Sequence, residues 1–245
     1  MKGILFKPNM IPLIVNGSKS QTRRVIKLKG YSRDIWDKCI PHNREQAILL
    51  GEPYLKVPYD PTTDNAGSRI TARYKVGETV YIKEAWATEN QYNHLKPSEI
   101  PRTAKIFYLS DGYDPFTMGI RRSPLFMPAW VARYFITIID ARVERLQSIN
   151  FEDCLAEGIV HTKEWQEVDY KAPEPLHPVL SHEEADEEIS RGWVAYTQQA
   201  YAKLWVAYTQ QVYAKLWDSI NKEYPWDSNC WVWKYVFAFK KEAKQ

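Results

Sequence analysis

A lysine and a threonine three residues apart are the most reactive pair of side chains near the amino terminus. They belong to the run Lys19-Ser20-Gln21-Thr22-Arg23-Arg24. An amine at this spacing can take a proton from the hydroxyl, as in hydrolases whose nucleophile is assisted by a lysine. Basic loops that contain threonine are also common solvated surfaces. The spacing alone leaves both interpretations open.

Glu157 is the second candidate for chemistry because of its place in a predicted helix. Asn150 is typical of a helix N-cap, and Gly158 is typical of the position just past a helix end. Glu157 therefore lies in the last turn, where the helix dipole disfavours negative charge. Charges that break a local rule occur at functional sites, and an exposed glutamate near a helix end is also ordinary.

Glu84 shares the apolar face of a predicted strand, residues 79–86, in which side chains alternate between two faces. An unpaired carboxylate buried on that face would cost several kcal/mol. We therefore expect an ion pair with one of three arginines: Arg23, Arg24 or Arg133. Trp86 lies on the same face and is expected in the core, with stacking on a planar ligand as the alternative.

The elements around these residues predict an α+β fold. Strand patterns cover residues 3–6, 79–86, 105–109, 133–146 and 231–240, and helical patterns cover 9–15, 150–157 and much of 183–221. Because strands and helices do not alternate regularly, a mixed β-barrel is favoured over a doubly wound sheet. Three stretches are expected to be insertions in the core fold: residues 30–75, which have weak periodicity and look irregular, residues 88–125, which include the 105–109 strand, and residues 160–204, in which 160–182 show no pattern.

A tandem duplication lies inside the long carboxy-terminal helix pattern. Residues 193–204 read WVAYTQQAYAKL, and residues 205–216 repeat them with one change, Ala200 to Val212. Twelve residues rotate a helix by about 120° beyond three full turns, so the copies cannot present the same face to one core. We expect the second copy to pack through Trp205, Tyr208, Val212 and Leu216. The first copy is expected to extend outward as a surface for self-association.

Composition and charge limit the function classes. Apolar residues make up 44% of the 245 residues and charged residues 26%, a balance that excludes disordered and fibrous classes. Residues 1–30 hold seven Lys or Arg and no acid, although the net charge is only +3. Three distant cysteines fit reduced thiols of the cytoplasm, and no signal peptide, metal-binding spacing or membrane span is recognised.

Four blocks of the sequence together resemble a known family. NGSKSQTRRVIK, residues 16–27, resembles the G-[RK]-K-T-x-T-x-R signature of ASCH domains, small barrels of the PUA-like superfold, in particular those of bacteriophages and prophages. The later blocks resemble the same proteins in the same order: VGETVYIKEAW, PLFMPAWVARYFITIIDARVERLQSINFEDCLAEGI, and LWDSIN followed by WDSNCWVW. The resemblance implies one ASCH domain over residues 1–245, interrupted by the three insertions.

The resemblance also implies a chemistry. Some bacterial ASCH proteins are amidohydrolases that remove the acetyl group from 4-acetylcytidine with a Lys, a Thr and a Glu, which fall here on Lys19, Thr22 and Glu157. Lys19 would take the proton of Thr22, whose hydroxyl attacks the amide carbonyl, and Glu157 would carry protons to the leaving amine. An activated water in place of Thr22 is the alternative nucleophile. No metal or other cofactor is implied.

Substrate contacts are expected from Arg23, Arg24, Glu84 and Trp86, which would hold a phosphate or carbonyl oxygen and stack on the base. The second hypothesis is a non-catalytic module that binds RNA or another nucleic acid, which PUA-like folds also support. The expected partner is therefore a nucleoside, a nucleotide or RNA, with no membrane, in the cytoplasm of a bacterial host cell.

Overall fold

The computed structural model describes residues 1–43, 52–159 and 206–241, in which strands and short helices are mixed. This confirms the α+β class. The chain divides into two compact units, Met1–Glu144 with Trp231–Gln245, and Arg145–Cys230. The strands of the described residues are β1 (Gly3–Leu5), β2 (Gln21–Val25), β3 (Ile40–His42), β4 (Tyr54–Val57), β5 (Ser68–Thr71), β6 (Thr79–Lys83), β7 (Trp86–Ala87), β8 (Phe107–Tyr108), β9 (Tyr134–Arg145) and β10 (Trp231–Lys241).

A five-stranded sheet in the order β1-β6-β9-β10-β2 forms the centre of the first unit. Strand β1 runs parallel to β6, whereas β6 with β9 and β10 with β2 are antiparallel. In the described residues this sheet is not closed into the predicted barrel, because β1 and β2 remain its two edges. The long strands predicted at 133–146 and 231–240 are confirmed as β9 and β10.

The basic run at residues 19–24 follows a short helix and then enters the sheet. Helix α1 (Ile11–Val15) ends as predicted at Asn16 and Gly17. Gly17 has a φ of +85°, a conformation that glycine adopts without steric cost. The backbone N–H of Lys19 then donates to the carbonyl of Leu13 at 2.8 Å. The chain thereby turns directly into β2, so Lys19 and Ser20 lie on the predicted loop, whereas residues 21–24 of the basic run lie on a strand.

The region 30–75 is not wholly irregular, which corrects the sequence analysis. It contains a second, three-stranded antiparallel sheet in the order β3-β4-β5. Each of these strands has only three or four residues, too few for a period-two pattern to stand out. The side chain of Asp60 fixes the adjacent loop by accepting hydrogen bonds from Ser32, Thr62 and Thr63.

The region 88–125 adds a small sheet and a local core. Strand β7 pairs with β8, and β8 lies within the strand that the sequence predicts at residues 105–109. A cluster of buried side chains fills the space around this pair, namely Trp86, Ile100, Ala104, Tyr108, Met127 and Val131. The insertion therefore has apolar packing of its own.

The second unit contains helix α2 (Phe151–Ala156) and a helix over residues 206–220. The Asn150 side chain accepts from the Asp153 N–H at 2.8 Å, and Gly158 has a φ of +85°, so both predicted ends of α2 are confirmed. The fully buried residues of the second helix are Thr209, Val212, Tyr213 and Trp217. The buried stripe of this helix is therefore shifted by about one residue toward the carboxy terminus relative to the predicted stripe. Of the predicted residues, Val212 is buried, and Tyr208 and Leu216 are half-buried at the margin. Trp205 and the first copy, residues 193–204, lie outside the described residues.

Candidate functional site

A cleft of about 480 Å³ opens in the first unit beside both edges of the five-stranded sheet. All of β1 and the end of β2, Arg24 and Val25, line it. The Arg24 guanidinium donates to the carbonyl of Leu5, which brings the two edge strands together at this place. In a flat five-stranded sheet the edge strands β1 and β2 would be far apart. Here the sheet curves so that the two edges approach each other and enclose a concave surface.

The cleft is lined by four cations, Arg24, Lys27, Arg73 and Lys83, and by no acidic residue among those described. Contacts with the protein hold Lys83 and Arg73 in place, as the hydrogen bond to Leu5 holds Arg24. The Lys83 Nζ donates to the carbonyl of Leu125 at 2.7 Å, and the Arg73 guanidinium lies 5.6 Å from the centre of the Tyr74 ring. Neither Arg73 nor Lys83 forms an ion pair within the part of the chain that the structure describes. This surface attracts anions.

Three buried aromatic residues, Tyr74, Trp233 and Tyr235, form one wall of the cleft. The Tyr74 hydroxyl donates to the carbonyl of Gly3 at 3.0 Å, and the Tyr235 hydroxyl accepts from the backbone N–H of Arg73 at 3.2 Å. Burial raises the pKa of Tyr235 to about 12. The phenol is therefore neutral at physiological pH and adds no negative charge to the cleft.

Thr22 lies on β2 directly opposite Tyr235 of β10. Directly opposed residues of antiparallel strands share a face of the sheet, so Thr22 is on the face that carries the aromatic wall. Lys19 precedes the strand, and both side chains belong to residues that are 5% exposed. The structure thus places both members of the basic run's reactive pair in the interior of the first unit.

Glu157 is the C-cap residue of α2 and is only 4% exposed. The alternative interpretation of Glu157, an exposed glutamate near a helix end, is therefore wrong. Because it belongs to the second unit, its convergence with Lys19 and Thr22 stays a prediction.

Arg23 and Arg24 point to opposite faces of β2. The Arg23 side chain is fully buried and donates from Nε and Nη2 to Oε1 of Glu144 at 2.8 and 2.6 Å. Arg24 lines the cleft, where its guanidinium lies 5.2 Å from the centre of the Phe6 ring. Arg24 therefore lies on the cation-lined surface of the cleft, whereas Arg23 forms a buried ion pair with Glu144 of β9.

Glu84 and Trp86 serve the packing of the first unit in this structure. Glu84 forms an ion pair with Arg133, one of its three expected partners. Trp86 is 0% exposed at the centre of the local core and offers no open ring face for a base. The expected core position of Trp86 is confirmed.

Most of the cleft could not be predicted from the sequence. The alternation of residues 231–240 places Trp233 and Tyr235 on one face of a strand, so this part of the aromatic wall could be predicted from the sequence. Arg73 and Lys27 had none, because their position follows from the long-range pairing of β2 with β10 and from the approach of β1 to β2.

Other features of the described residues bear on the expected chemistry. Cys39, Cys154 and Cys230 are buried free thiols. Within residues 1–43, 52–159 and 206–241, no group of three or more His, Cys, Asp or Glu is arranged to hold a metal ion. None of the helices in these ranges is both long and apolar enough to span a bilayer. In comparisons with known proteins, no family model, no curated protein and no solved structure matches the chain.

Proposed function

We propose that this protein binds a phosphate-bearing nucleotide ligand, a nucleotide or RNA, in the cleft beside β1 and β2. The observation that carries the proposal is that four cations line the cleft and that the described lining residues include no acid. The proposal includes the finer fold assignment, a phage-type ASCH domain of the PUA-like superfold acting in the bacterial cytoplasm. The buried free thiols fit that reducing compartment.

The cleft has room and chemistry for such a ligand. Its volume of about 480 Å³ falls within the range of ~300–1,000 Å³ that is common for ligand pockets. Arg24 and Lys27 on one side and Lys83 on the other would hold phosphate oxygens, while the edges of Trp233 and Tyr235 supply an apolar wall for a sugar or base.

The test uses two exposed lysines of the same segment. Lys27 lines the cleft, and Lys29, two residues later, does not. We expect Lys27→Ala to weaken binding of a labelled single-stranded RNA and to reduce the slope of log K against log salt by about 0.7, the value for one phosphate contact. Lys29→Ala should leave the affinity for RNA and the salt slope unchanged. Failure of the wild-type protein to bind, or equal effects of the two variants, would reject the proposal.

A second candidate function is deacylation of a cytidine-type base. The specific observation in its favour is that Lys19, Thr22 and Glu157, which are polar residues in positions that resemble the amidohydrolase set, are each at least 95% buried. Polar side chains are seldom buried without a structural or functional reason. In this reaction the Thr22 hydroxyl bonds to the acyl carbon while the amide C–N bond breaks. The proton that Lys19 removes returns through Glu157 to the amine, and water then releases acetate.

A further inference from the structure

A short turn, Pro124–Phe126, stands at the rim of the cation-lined cleft and exposes two apolar side chains. Leu125 lines the cleft and is 55% exposed, and Phe126 beside it is 66% exposed. Leu5, on the β1 side of the cleft, is also exposed. Single exposed apolar residues are ordinary on protein surfaces, whereas Leu5 and Leu125 both line a charged groove and Phe126 adjoins Leu125.

The turn is fixed in place on both sides of Phe126. On the amino-terminal side, the Ser123 side chain accepts from the Leu125 N–H at 3.2 Å, and the Leu125 carbonyl accepts from the Lys83 Nζ. On the other side Met127 is buried, and its carbonyl accepts from the Tyr81 hydroxyl at 3.1 Å. The backbone on both sides of Phe126 is therefore fixed while its ring is exposed to water, so a ligand that contacts the ring meets a turn that is already formed.

Lys83 joins this turn to the cleft. The same ammonium group that lines the cleft donates to the backbone carbonyl of Leu125, so a cation of the cleft contacts the residue directly before the flat apolar side chain of Phe126. Single-stranded nucleic acid has the matching pattern, since phosphates alternate with unpaired bases that stack on aromatic rings. A single nucleotide has only one base, and with its phosphate among the cations that base lies in the cleft.

We infer that the Phe126 ring stacks on an unpaired base next to the nucleotide in the cleft, so that the ligand is a single-stranded polynucleotide rather than a mononucleotide. This inference rests on the proposed function. An acidic peptide with an apolar side chain is the other occupant that would match a cation beside an apolar turn. The test therefore includes it.

The experiment compares the affinities of hexacytidylate and CMP for four forms of the full chain: the wild type, Phe126→Ala, Phe126→Tyr and Phe116→Ala. Phe126→Ala should weaken hexacytidylate binding about 5- to 100-fold, the range for loss of one base–aromatic stack, and leave CMP binding unchanged. Phe126→Tyr keeps a flat ring and should bind like the wild type. Phe116 is the matched control, since it is 90% exposed on a different turn of the same region.

Each other outcome identifies which proposal fails. If Phe126→Ala changes the affinity for neither ligand, or for both equally, the polynucleotide inference is overturned while nucleotide binding stands. Displacement of hexacytidylate by an acidic peptide with one apolar side chain, made of five glutamates and a leucine, would assign the turn to acidic peptides and overturn the polynucleotide inference if it depends on Phe126. A wild-type protein that binds neither CMP nor hexacytidylate would overturn both proposals.

Discussion

Arg133 holds Glu84 in a two-pronged ion pair, with Nε 3.0 Å from Oε1 and Nη2 2.8 Å from Oε2. The Glu84 side chain is 2% exposed and that of Arg133 is 18% exposed. The Ser110 hydroxyl donates to the same carboxylate at 3.0 Å, and the guanidinium lies 3.9 Å from the centre of the Tyr108 ring. Burial lowers the pKa of Arg133, but its hydrogen bonds to Glu84 and Asp111 outweigh that effect and raise it.

Replacing Glu84 with glutamine should therefore destabilise the protein. Loss of one partner of a buried ion pair costs about 3 to 5 kcal/mol, and we expect the lower end because Asp111 still pairs with Arg133. The measurement is the free energy of unfolding in urea. Asp111→Asn is the matched control, since the Asp111 side chain is 59% exposed and should lose less than about 1 kcal/mol. Equal losses in the two variants would contradict the buried position of Glu84.

The ion pair of Glu84 illustrates which contacts can be predicted from the sequence and which cannot. Strand alternation places Glu84 among apolar residues, and the cost of burying a charge then requires a cation. Alternation does not select among the three arginines, because Arg23 and Arg24 lie on β2 and take their direction from its pairing with β10. Arg23 meets Glu144 of β9 instead, a contact across 121 positions in the sequence.

Local signals account for the elements that were predicted well. The cap at Asn150, the glycine at 158 and the alternation in β10 act within a few residues, so they can be recognised in the sequence. The three-stranded sheet of residues 40–71 has no such signal, since its strands are short and are stabilised by one another. The cation-lined cleft was missed for the same reason, because residues as distant as Leu5, Arg73 and Trp233 form it together.

The loop around Asp60 should give part of the protein's stability a dependence on acidic pH. Burial raises the pKa of this carboxylate, but hydrogen bonds from Ser32, Thr62 and Thr63 lower it to about 2, from an ordinary value of 3.8. The folded pKa is thus below the unfolded one. The stabilisation is complete above about pH 4 and is lost as the pH falls toward 2.

Asp60→Asn tests this dependence in urea unfolding at pH 5, 3 and 2. Other carboxylates with lowered pKa values, Glu78, Asp111 and Asp114, lose stabilisation in the same range. The informative quantity is therefore the difference between wild type and variant. We expect the wild type to be more stable at pH 5 and the difference to shrink toward pH 2. A difference that does not change with pH would show that Asp60 titrates normally.

Amide hydrolysis, the second candidate function, is tested by acetate release from 4-acetylcytidine. Lys19→Ala and Glu157→Gln should each lower the rate at least about 100-fold, the contribution typical of a general acid or base. Because the structure buries Lys19, Thr22 and Glu157, each variant must first be shown to fold by circular dichroism.

Two variants of Thr22 distinguish the nucleophiles. Thr22→Val keeps the shape of the side chain without its hydroxyl, and Thr22→Ser keeps the hydroxyl. Loss of activity in Thr22→Val with retention in Thr22→Ser supports attack by the hydroxyl, whereas activity in both supports an activated water. Full activity in every folded variant at positions 19, 22 and 157 would exclude the amidohydrolase and leave the binding function.

The duplication supplies a pair of deletion variants that differ at a single buried position. Removing residues 193–204 or residues 205–216 leaves one copy running into Trp217, and the two products differ only in valine or alanine at the place of Val212. Val212 is 3% exposed on the 206–220 helix, beside Tyr213. Both products should fold, because each keeps the residue types of this buried stripe apart from the alanine that replaces Val212 in one of them.

The product that carries alanine should be less stable by about 1 to 3 kcal/mol, since truncating a buried valine removes two methyl groups and leaves a cavity. Thermal unfolding of the two deletion products measures this difference, and Val212→Ala in the full chain should lose a similar amount. A deletion pair of equal stability, beside a destabilised full-length variant, would show that the helix packs through another face once one copy is gone. Sedimentation of the same proteins tests self-association, which should fall in both deletion products if the extra copy forms the contact.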